Sequence, residues 1–316
     1  MVKIERIKDK PILTPKEVKG YGAIFNAGCI LIDGVFYLFA RGVKEGYRKR
    51  KPRGYENYYS DILLFKSEDG INYRFLKVLI EGGPKTEHPY GVEDPRIQKI
   101  HDKYILTYSD LVKPAFSPEN SRVGCALLDF KKKDFEVLKK YRVGPDKDDK
   151  NAVIAEISSK KIAFIHRLMP DIHVAFFESV EELISPSPGF WEDYIQKGGE
   201  ILIKAERNEK IGAGAPPIRT EQGFLFFYHS KDIKKNRYVV KVALLHKENL
   251  SPLKILPYPL LEPEKDYERS GDVENVVFIQ GAVEYGEKIY ITYGAADKVV
   301  GAGFIDRKKL LQELTG

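Results

Sequence analysis

The stretch Gly28-Cys29-Ile30-Leu31-Ile32-Asp33-Gly34-Val35-Phe36-Tyr37-Leu38-Phe39 reads as a β-hairpin: an apolar run, a two-residue polar turn, then an aromatic-rich run. Asp-Gly favours the left-handed backbone of a tight hairpin turn, and the flanking aliphatic and aromatic residues suit a pleated, packed sheet. The same unit returns four more times. Its copies are Arg96–Ile100 with Tyr104–Tyr108 around His101-Asp102-Lys103, and Ala152–Ile157 with Lys161–Ile165 around Ser158-Ser159-Lys160. Pro217–Thr220 with Phe224–Tyr228 around Glu221-Gln222-Gly223, and Gly281–Glu284 with Lys288–Tyr293 around Tyr285-Gly286-Glu287, complete the set.

The turn residues Gly34, Asp102, Ser159, Gly223 and Gly286 stand 68, 57, 64 and 63 residues apart. A near-regular period with room for four strands per unit is what radial repetition of small sheets requires. Outer strand pairs fill the intervals, as in Ile62–Lys66 with Tyr73–Leu76 around Glu68-Asp69-Gly70, and Val123–Leu128 with Phe135–Leu138. The expected fold is therefore all-β: one five-bladed β-propeller domain over residues 1–316, ending in a short C-terminal helix at Asp306–Leu314. The fifth copy has just Gly301–Ile305 left before that helix, so an N-terminal segment is expected to complete the last blade and close the ring.

Composition agrees with a packed domain and narrows the partners. Of 316 residues, 43% are hydrophobic and 31% charged, which excludes disordered and fibrous classes. The net charge of +6 is spread along the chain. Its densest part, Arg48-Lys49-Arg50-Lys51 ahead of Pro52-Arg53-Gly54, reads as a solvated loop rather than a nucleic-acid patch. Cys29 and Cys125 each sit inside an apolar run, as buried thiols of a reducing compartment do. No apolar run approaches the roughly 18 residues of a spanning helix, and Met1–Arg6 lacks the apolar centre of a secretion signal. A soluble cytoplasmic protein with no nucleic-acid or membrane partner is expected.

In an antiparallel hairpin the start of the first strand and the end of the second lie on the same side. Polar residues at those places must ring one mouth of the channel. The strand starts supply Asn26, Glu93-Asp94 with Arg96, Lys150-Asn151, Arg219 and Glu274-Asn275; the second-strand ends supply Arg41, Ser109-Asp110, His166-Arg167, Tyr228-His229 and Asp297. Asp94 before Pro95 could simply shape a turn, and a histidine can be a structural hydrogen-bonding group. A sheet needs no recurring Arg, His and Asp at one end, so the set points to a functional mouth rich in carboxylates and cations.

Gly91-Val92-Glu93-Asp94-Pro95-Arg96-Ile97 resembles a motif of glycoside hydrolase family 130, the five-bladed propellers that include β-mannoside phosphorylases and related β-mannosidases. Further matches run from Asn26-Ala27-Gly28 through Arg41-Gly42, Ser67-Glu68-Asp69-Gly70, His166-Arg167, Pro170-Asp171-Ile172, Gly212–Thr220 and Tyr228-His229 to Tyr293-Gly294-Ala295-Ala296-Asp297. The resemblance implies inverting chemistry, with Asp94 as a general acid that delivers its proton through a hydroxyl of the bound mannose. It places Asn26, Arg41, Arg96, Asp110 and Asp297 around the sugar, with Tyr108 as a wall. Lys150, Arg167, Arg219 and His229 fall at positions resembling the family's phosphate cradle.

An inverting hydrolase needs a second carboxylate as base, whereas a phosphorylase needs cations that desolvate and orient a phosphate dianion. The four cationic or proton-sharing groups favour phosphate. Two departures stand out: Val153-Ile154-Ala155-Glu156 replaces the more usual Leu-Phe-Pro-Glu, and Pro216-Pro217-Ile218-Arg219 replaces Pro-Pro-Ile-Lys. Glu156, read as lying beside the cradle, would be a candidate hydrolytic base.

The expected reaction converts a β-mannoside and phosphate into α-mannose 1-phosphate and a shortened acceptor. Inorganic phosphate is the co-substrate, a β-linked mannosyl oligosaccharide the substrate, and no metal or other cofactor is called for. An inverting β-mannosidase and a non-catalytic glycan-binding propeller are the alternatives. Linkage and homo-oligomeric state stay open. Tyr47, Tyr55, Tyr58 and Tyr59 lie in a basic loop suited to covering the mouth, and Glu178–Gly199, with Trp191, is an insertion in the third blade with no chemistry assigned.

Overall fold

The computed structural model describes residues 1–51 and 54–316; Pro52 and Arg53, the end of the basic run, lie outside the described residues. The chain enters through a two-residue strand, β1 (Glu5–Arg6), before the first blade. That blade is built of β2 (Tyr21–Ile32) and β3 (Val35–Lys44), then, after a ribbon of β4 (Arg48–Lys49) and β5 (Tyr55–Glu56), β6 (Ser60–Ser67) and β7 (Arg74–Ile80). Blade two comprises β8 (Val92–Ile100), β9 (Lys103–Leu111), β10 (Ser121–Lys131) and β11 (Asp134–Val143).

Blade three comprises β12 (Lys150–Ser158), β13 (Lys161–Arg167) and β14 (Ile172–Phe177), then the helices α1 (Val180–Ile184) and α2 (Phe190–Gln196), then β15 (Glu200–Ile203). The two short helices are the expected insertion. Blade four has β16 (Glu209–Ala213) and β17 (Ile218–Arg219) end to end along one edge of β18 (Phe224–Asp232), followed by β19 (Arg237–Leu245) and β20 (Pro252–Ile255). After α3 (Asp266–Arg269), blade five follows with β21 (Val277–Tyr285), β22 (Lys288–Ala295) and β23 (Val299–Asp306), and α4 (Arg307–Thr315) ends the chain.

Glu5 and Arg6 of β1 pair with Phe304 and Gly303 of β23, so the N-terminal segment completes blade five as expected. Successive blades face one another, with β2 packed against both β8 and β21. Each gap between neighbouring blades holds its own apolar cluster, such as Phe39, Leu64, Leu106 and Ala126 between blades one and two. Because both faces of every sheet are buried this way, the inner strands read as continuous apolar runs. Near the axis the strands come close: a Cβ on Gly28 would stand 2.6 Å from the carbonyl oxygen of Pro95.

Blade four departs from the expected hairpin. Its inner strand is interrupted at Gly214-Ala215-Pro216-Pro217, where two consecutive residues lack an N–H for the ladder. The run Pro217–Thr220 is thus the far half of the inner strand, and the mouth-side half is β16.

Candidate active site

Three inner strands bulge at the same height. The pairing slips between Phe25 and Ala27 in β2, between Glu93 and Arg96 in β8, and between Lys150 and Val153 in β12. At each slip stands an Asn or Asp in the left-handed region: Asn26 at φ 46°, Asp94 at φ 53° and Asn151 at φ 56°. These are the non-glycine residues that best tolerate such backbone, and a bulge turns the side chain out of the sheet.

Buried struts fix the bulges. Gln280 Nε2 donates to the carbonyls of Asn26 and Pro95, each at 3.1 Å. Arg96 is wholly buried and donates to the carbonyls of Asp94 (2.8 Å), Gly214 (2.7 Å) and Ala213 (3.0 Å). It therefore ties blade two to blade four beneath the mouth, and does not line the cavity as the expected sugar ligand would. Its pKa falls to about 10, through burial first and the charge of Arg167 next, with Asp94 opposing.

Above the struts lies a cavity of about 250 Å³. Its lining includes Asn26, Arg41, Glu93, Asp94 and Asp297 from blades one, two and five, and Lys150, Asn151 and Arg167 from blade three. In the first group, Asn26 Nδ2 donates to Asp94 Oδ1 at 2.8 Å. Arg41 bridges the acidic pair, donating to Glu93 Oε1 at 2.5 Å and to Asp94 Oδ1 at 3.4 Å. Its guanidinium lies over the Phe25 ring (4.8 Å) and near that of Tyr58 (5.4 Å).

The three carboxyls are pushed apart in acidity. Burial raises Glu93. Burial also pulls Asp94 upward, but Arg41, Arg96, the Asn26 hydrogen bond and Lys150 outweigh it and hold the group below the usual range. Asp297 is raised to about 7, by burial above all and then by its acidic neighbours, against the pull of Arg41. Environments that separate the pKa values of neighbouring carboxyls are a mark of acid-base sites.

In blade three Lys150 and Arg167 are register partners on adjacent strands. Burial, and then the charge of Arg167, lowers the Lys150 pKa; burial lowers that of Arg167 against the pull of Tyr238, Asp148 and Asp149. Two like charges held together in poor solvent form an anion seat. Asn151 Oδ1 and Arg167 Nε are buried there without a hydrogen-bond partner among the described residues. His229 is wholly buried behind this seat, stacked on Phe278 at 4.0 Å, and burial followed by Arg167 drives its pKa well down. It is thus a neutral backing group outside the cavity lining, not a fourth cation.

Four other expectations are corrected. Arg219 pairs with Phe224 beside the Glu221-Gln222-Gly223 turn and donates to the carbonyls of Ile157 and Glu156, the latter at 3.2 Å. That is the opposite end of the propeller, because the break at Gly214–Pro217 lies between Arg219 and the mouth. Glu156 shares that far end, where its carboxylate accepts the His101 amide at 2.7 Å, so it does not serve as a base beside the seat. Asp110 is occupied by His88 (2.9 Å) and Arg142 (2.7 Å) and does not line the cavity, and Tyr108 is buried between blades one and two.

The loop tyrosines act as wall rather than open platform. Tyr58 is buried and stacked on Tyr55 at 5.2 Å, while Tyr47 donates to Asp272, which also accepts from Lys298 at 3.1 Å. The sequence reading passed over Lys231 and Tyr238 from blade four and Phe116 from the β9–β10 loop, all of which line the cavity. Lys231, two residues beyond His229, and its register partner Tyr238 flank the β18–β19 turn on the mouth side. Nothing in the local sequence marks Phe116, which is 40% exposed and also lines an adjoining cavity of about 540 Å³ with Tyr55 and Asp272.

Carboxyls of graded acidity and a buried cation pair in one propeller mouth suit an enzyme that cleaves a glycosidic bond, with acid help on one side and attack from the other. Comparison with known proteins agrees. The profile of glycoside hydrolase family 130, described as beta-1,4-mannooligosaccharide phosphorylase, matches residues 3–315. The chain belongs to this family. A beta-1,2-mannobiose phosphorylase of Thermoanaerobacter sp. (strain X514) is 34% identical over 98% of this chain and 99% of its own. A 1,2-beta-oligomannan phosphorylase of the same strain is 30% identical over 98% and 99%. Among solved structures, the beta-1,2-mannobiose phosphorylase of Listeria innocua superposes with a TM-score of 0.77 at 24% identity, covering 98% of this chain and 99% of that one.

Proposed function

We propose that this protein is an inverting β-mannoside phosphorylase, with Asp94 as general acid and Lys150, Asn151 and Arg167 as the phosphate seat. The observation that carries the reading is the Lys150–Arg167 pair: two cations on adjacent strands that line the same small cavity as Asp94. Phosphate is itself a nucleophile, so the reaction needs no base, and two cations desolvate and aim it. Asn26, Arg41 and Asp297 hold the mannosyl group whose glycosidic bond breaks.

Phosphate binding also prepares the acid. Lys150 is one of the charges that keep Asp94 ionised. A dianion seated on Lys150 takes up that charge and adds a like one, so the Asp94 pKa rises and the group becomes able to carry a proton. The proton passes through a mannose hydroxyl to the leaving oxygen, while phosphate attacks the anomeric carbon from the far face and inverts it. The acceptor sugar leaves past Phe116, whose exposed ring offers a stacking face between the two cavities.

For linkage we favour β-1,2, on the likeness to the two Thermoanaerobacter phosphorylases. Initial rates on β-1,2- and β-1,4-mannobiose in phosphate buffer test this. The 1,2-linked substrate is expected to turn over faster; preference for the 1,4-linked one would reverse the linkage, and release of free mannose at the same rate without phosphate would favour the hydrolase.

A further inference from the structure

Beneath the two cations runs a polar chain that the reaction as described does not use. His166 and Asp149 are wholly buried, and His166 Nδ1 donates to Asp149 Oδ2 at 2.6 Å. Burying a carboxylate costs far more than burying an apolar residue of similar size, so packing alone does not account for the pair. Its placement is specific. Asp149 directly precedes Lys150, His166 directly precedes Arg167, and those two cations are register partners. The second carboxylate oxygen of Asp149 accepts the Arg167 backbone amide at 3.1 Å. One carboxylate thus clamps the end of β13 to the start of β12 where the cations leave the sheet.

The chain continues outward into the insertion. The Tyr194 hydroxyl shares its proton between His166 Nε2, 3.3 Å away, and the Val174 carbonyl, 2.9 Å away. Tyr194 and Trp191 belong to α2, and the imidazole is packed between Phe164, stacked at 4.9 Å, and the edge of Trp191 at 5.8 Å. The third-blade insertion therefore reaches the underside of the anion seat through a hydrogen-bonded ring.

We propose that Asp149, His166 and Tyr194 are positioning residues that hold Lys150 and Arg167 at the spacing a phosphate dianion requires, so that the insertion sets phosphate affinity. The proposal rests on the reading of Lys150 and Arg167 as the phosphate seat. Two long side chains of like charge repel and are entropically costly to hold together, so their backbones must be fixed from below. Arg41, Asp94 and Asp297 belong to other blades and have no hydrogen bond to this chain among the described residues. The effect therefore falls on phosphate and spares the mannoside.

The test is calorimetric titration of the whole protein with inorganic phosphate, together with the KM for phosphate and for β-mannobiose. His166→Phe keeps the packed ring and loses both hydrogen bonds; it is expected to weaken phosphate binding about tenfold while the β-mannobiose KM stays within about twofold. Asp149→Asn, which keeps an acceptor, is expected to lose less than Asp149→Ala. Tyr194→Phe, a milder change should His166→Phe fail to fold, is expected to weaken phosphate by about two- to threefold. Unchanged phosphate affinity in both His166→Phe and Tyr194→Phe overturns the proposal and leaves the phosphorylase reading standing, as does a parallel rise in both KM values. A wild-type protein that neither binds nor requires phosphate overturns the phosphorylase reading, and the proposal with it.

Discussion

Asp94 is held ionised by Arg41, Arg96, Asn26 and Lys150, yet its proposed work is to give a proton, so its competence depends on what phosphate does to Lys150. Asp94→Asn keeps the shape and removes the proton. It is expected to lower kcat/KM by about three orders of magnitude with an unchanged circular dichroism spectrum, and activity within tenfold of wild type would remove Asp94 from the acid role. Asp297 makes a separate prediction. Its native pKa of about 7 lies above the ordinary 3.8, so across that window the folded chain holds a proton that the unfolded chain has lost. Stability therefore falls as pH rises from about 4 to about 7 and levels off above that. Asp297→Asn removes this slope, and its urea midpoint should gain on wild type through the same window; a gain independent of pH would contradict the assignment. The acidic motif and the Lys150–Arg167 pair were legible because their residues flank hairpin ends. Arg219 was misread because sequence spacing says which strand a residue is near but not which side of a strand break it occupies. Asp110 does stand at the mouth end of β9, but its partners His88 and Arg142 come from other segments, and Glu156 lies six residues along β12 from Lys150, at the turn end.

At the scale of the element, hairpin turns are local chemistry, and all five inner turns stand where Asp-Gly, Gly-Glu and their equivalents indicate. The inner strand of blade four was misplaced because its break depends on Gly214 and two prolines facing a neighbouring strand. The bulges were invisible for a different reason: Asn26, Asp94 and Asn151 reveal their left-handed backbone only once strands pair. The closing strand β1 carries its own prediction. Arg6 donates from Nε to Glu268 Oε1 at 2.7 Å, and the Glu268 side chain is wholly buried. Arg6→Ala takes the cation from that carboxylate, leaving it the Tyr293 hydroxyl and the Glu264 and Lys265 amides, and should cost about 3 kcal/mol in urea denaturation, because the buried charge loses its counter-charge. A loss under about 0.5 kcal/mol would mean that blade five closes without this contact.

Taken whole, the propeller turns a diffuse charge surplus into a local device. Most of the +6 is spread over the surface, while Lys150 and Arg167 are gathered from one blade to the channel mouth and set against carboxyls from blades two and five. Five-fold recurrence made the architecture readable in the chain. The chemistry was half readable, since the mouth follows from hairpin geometry, but the packing of α2 against His166 joins residues from separate elements and leaves no local pattern. The central claim is phosphorolysis at that mouth. Incubating the protein with β-1,2-mannobiose, with and without phosphate, and following the products by phosphorus and proton NMR tests it most directly. The account predicts α-mannose 1-phosphate and mannose in equal amounts, and only when phosphate is present. β-Mannose 1-phosphate, or free mannose formed equally well without phosphate, would contradict it.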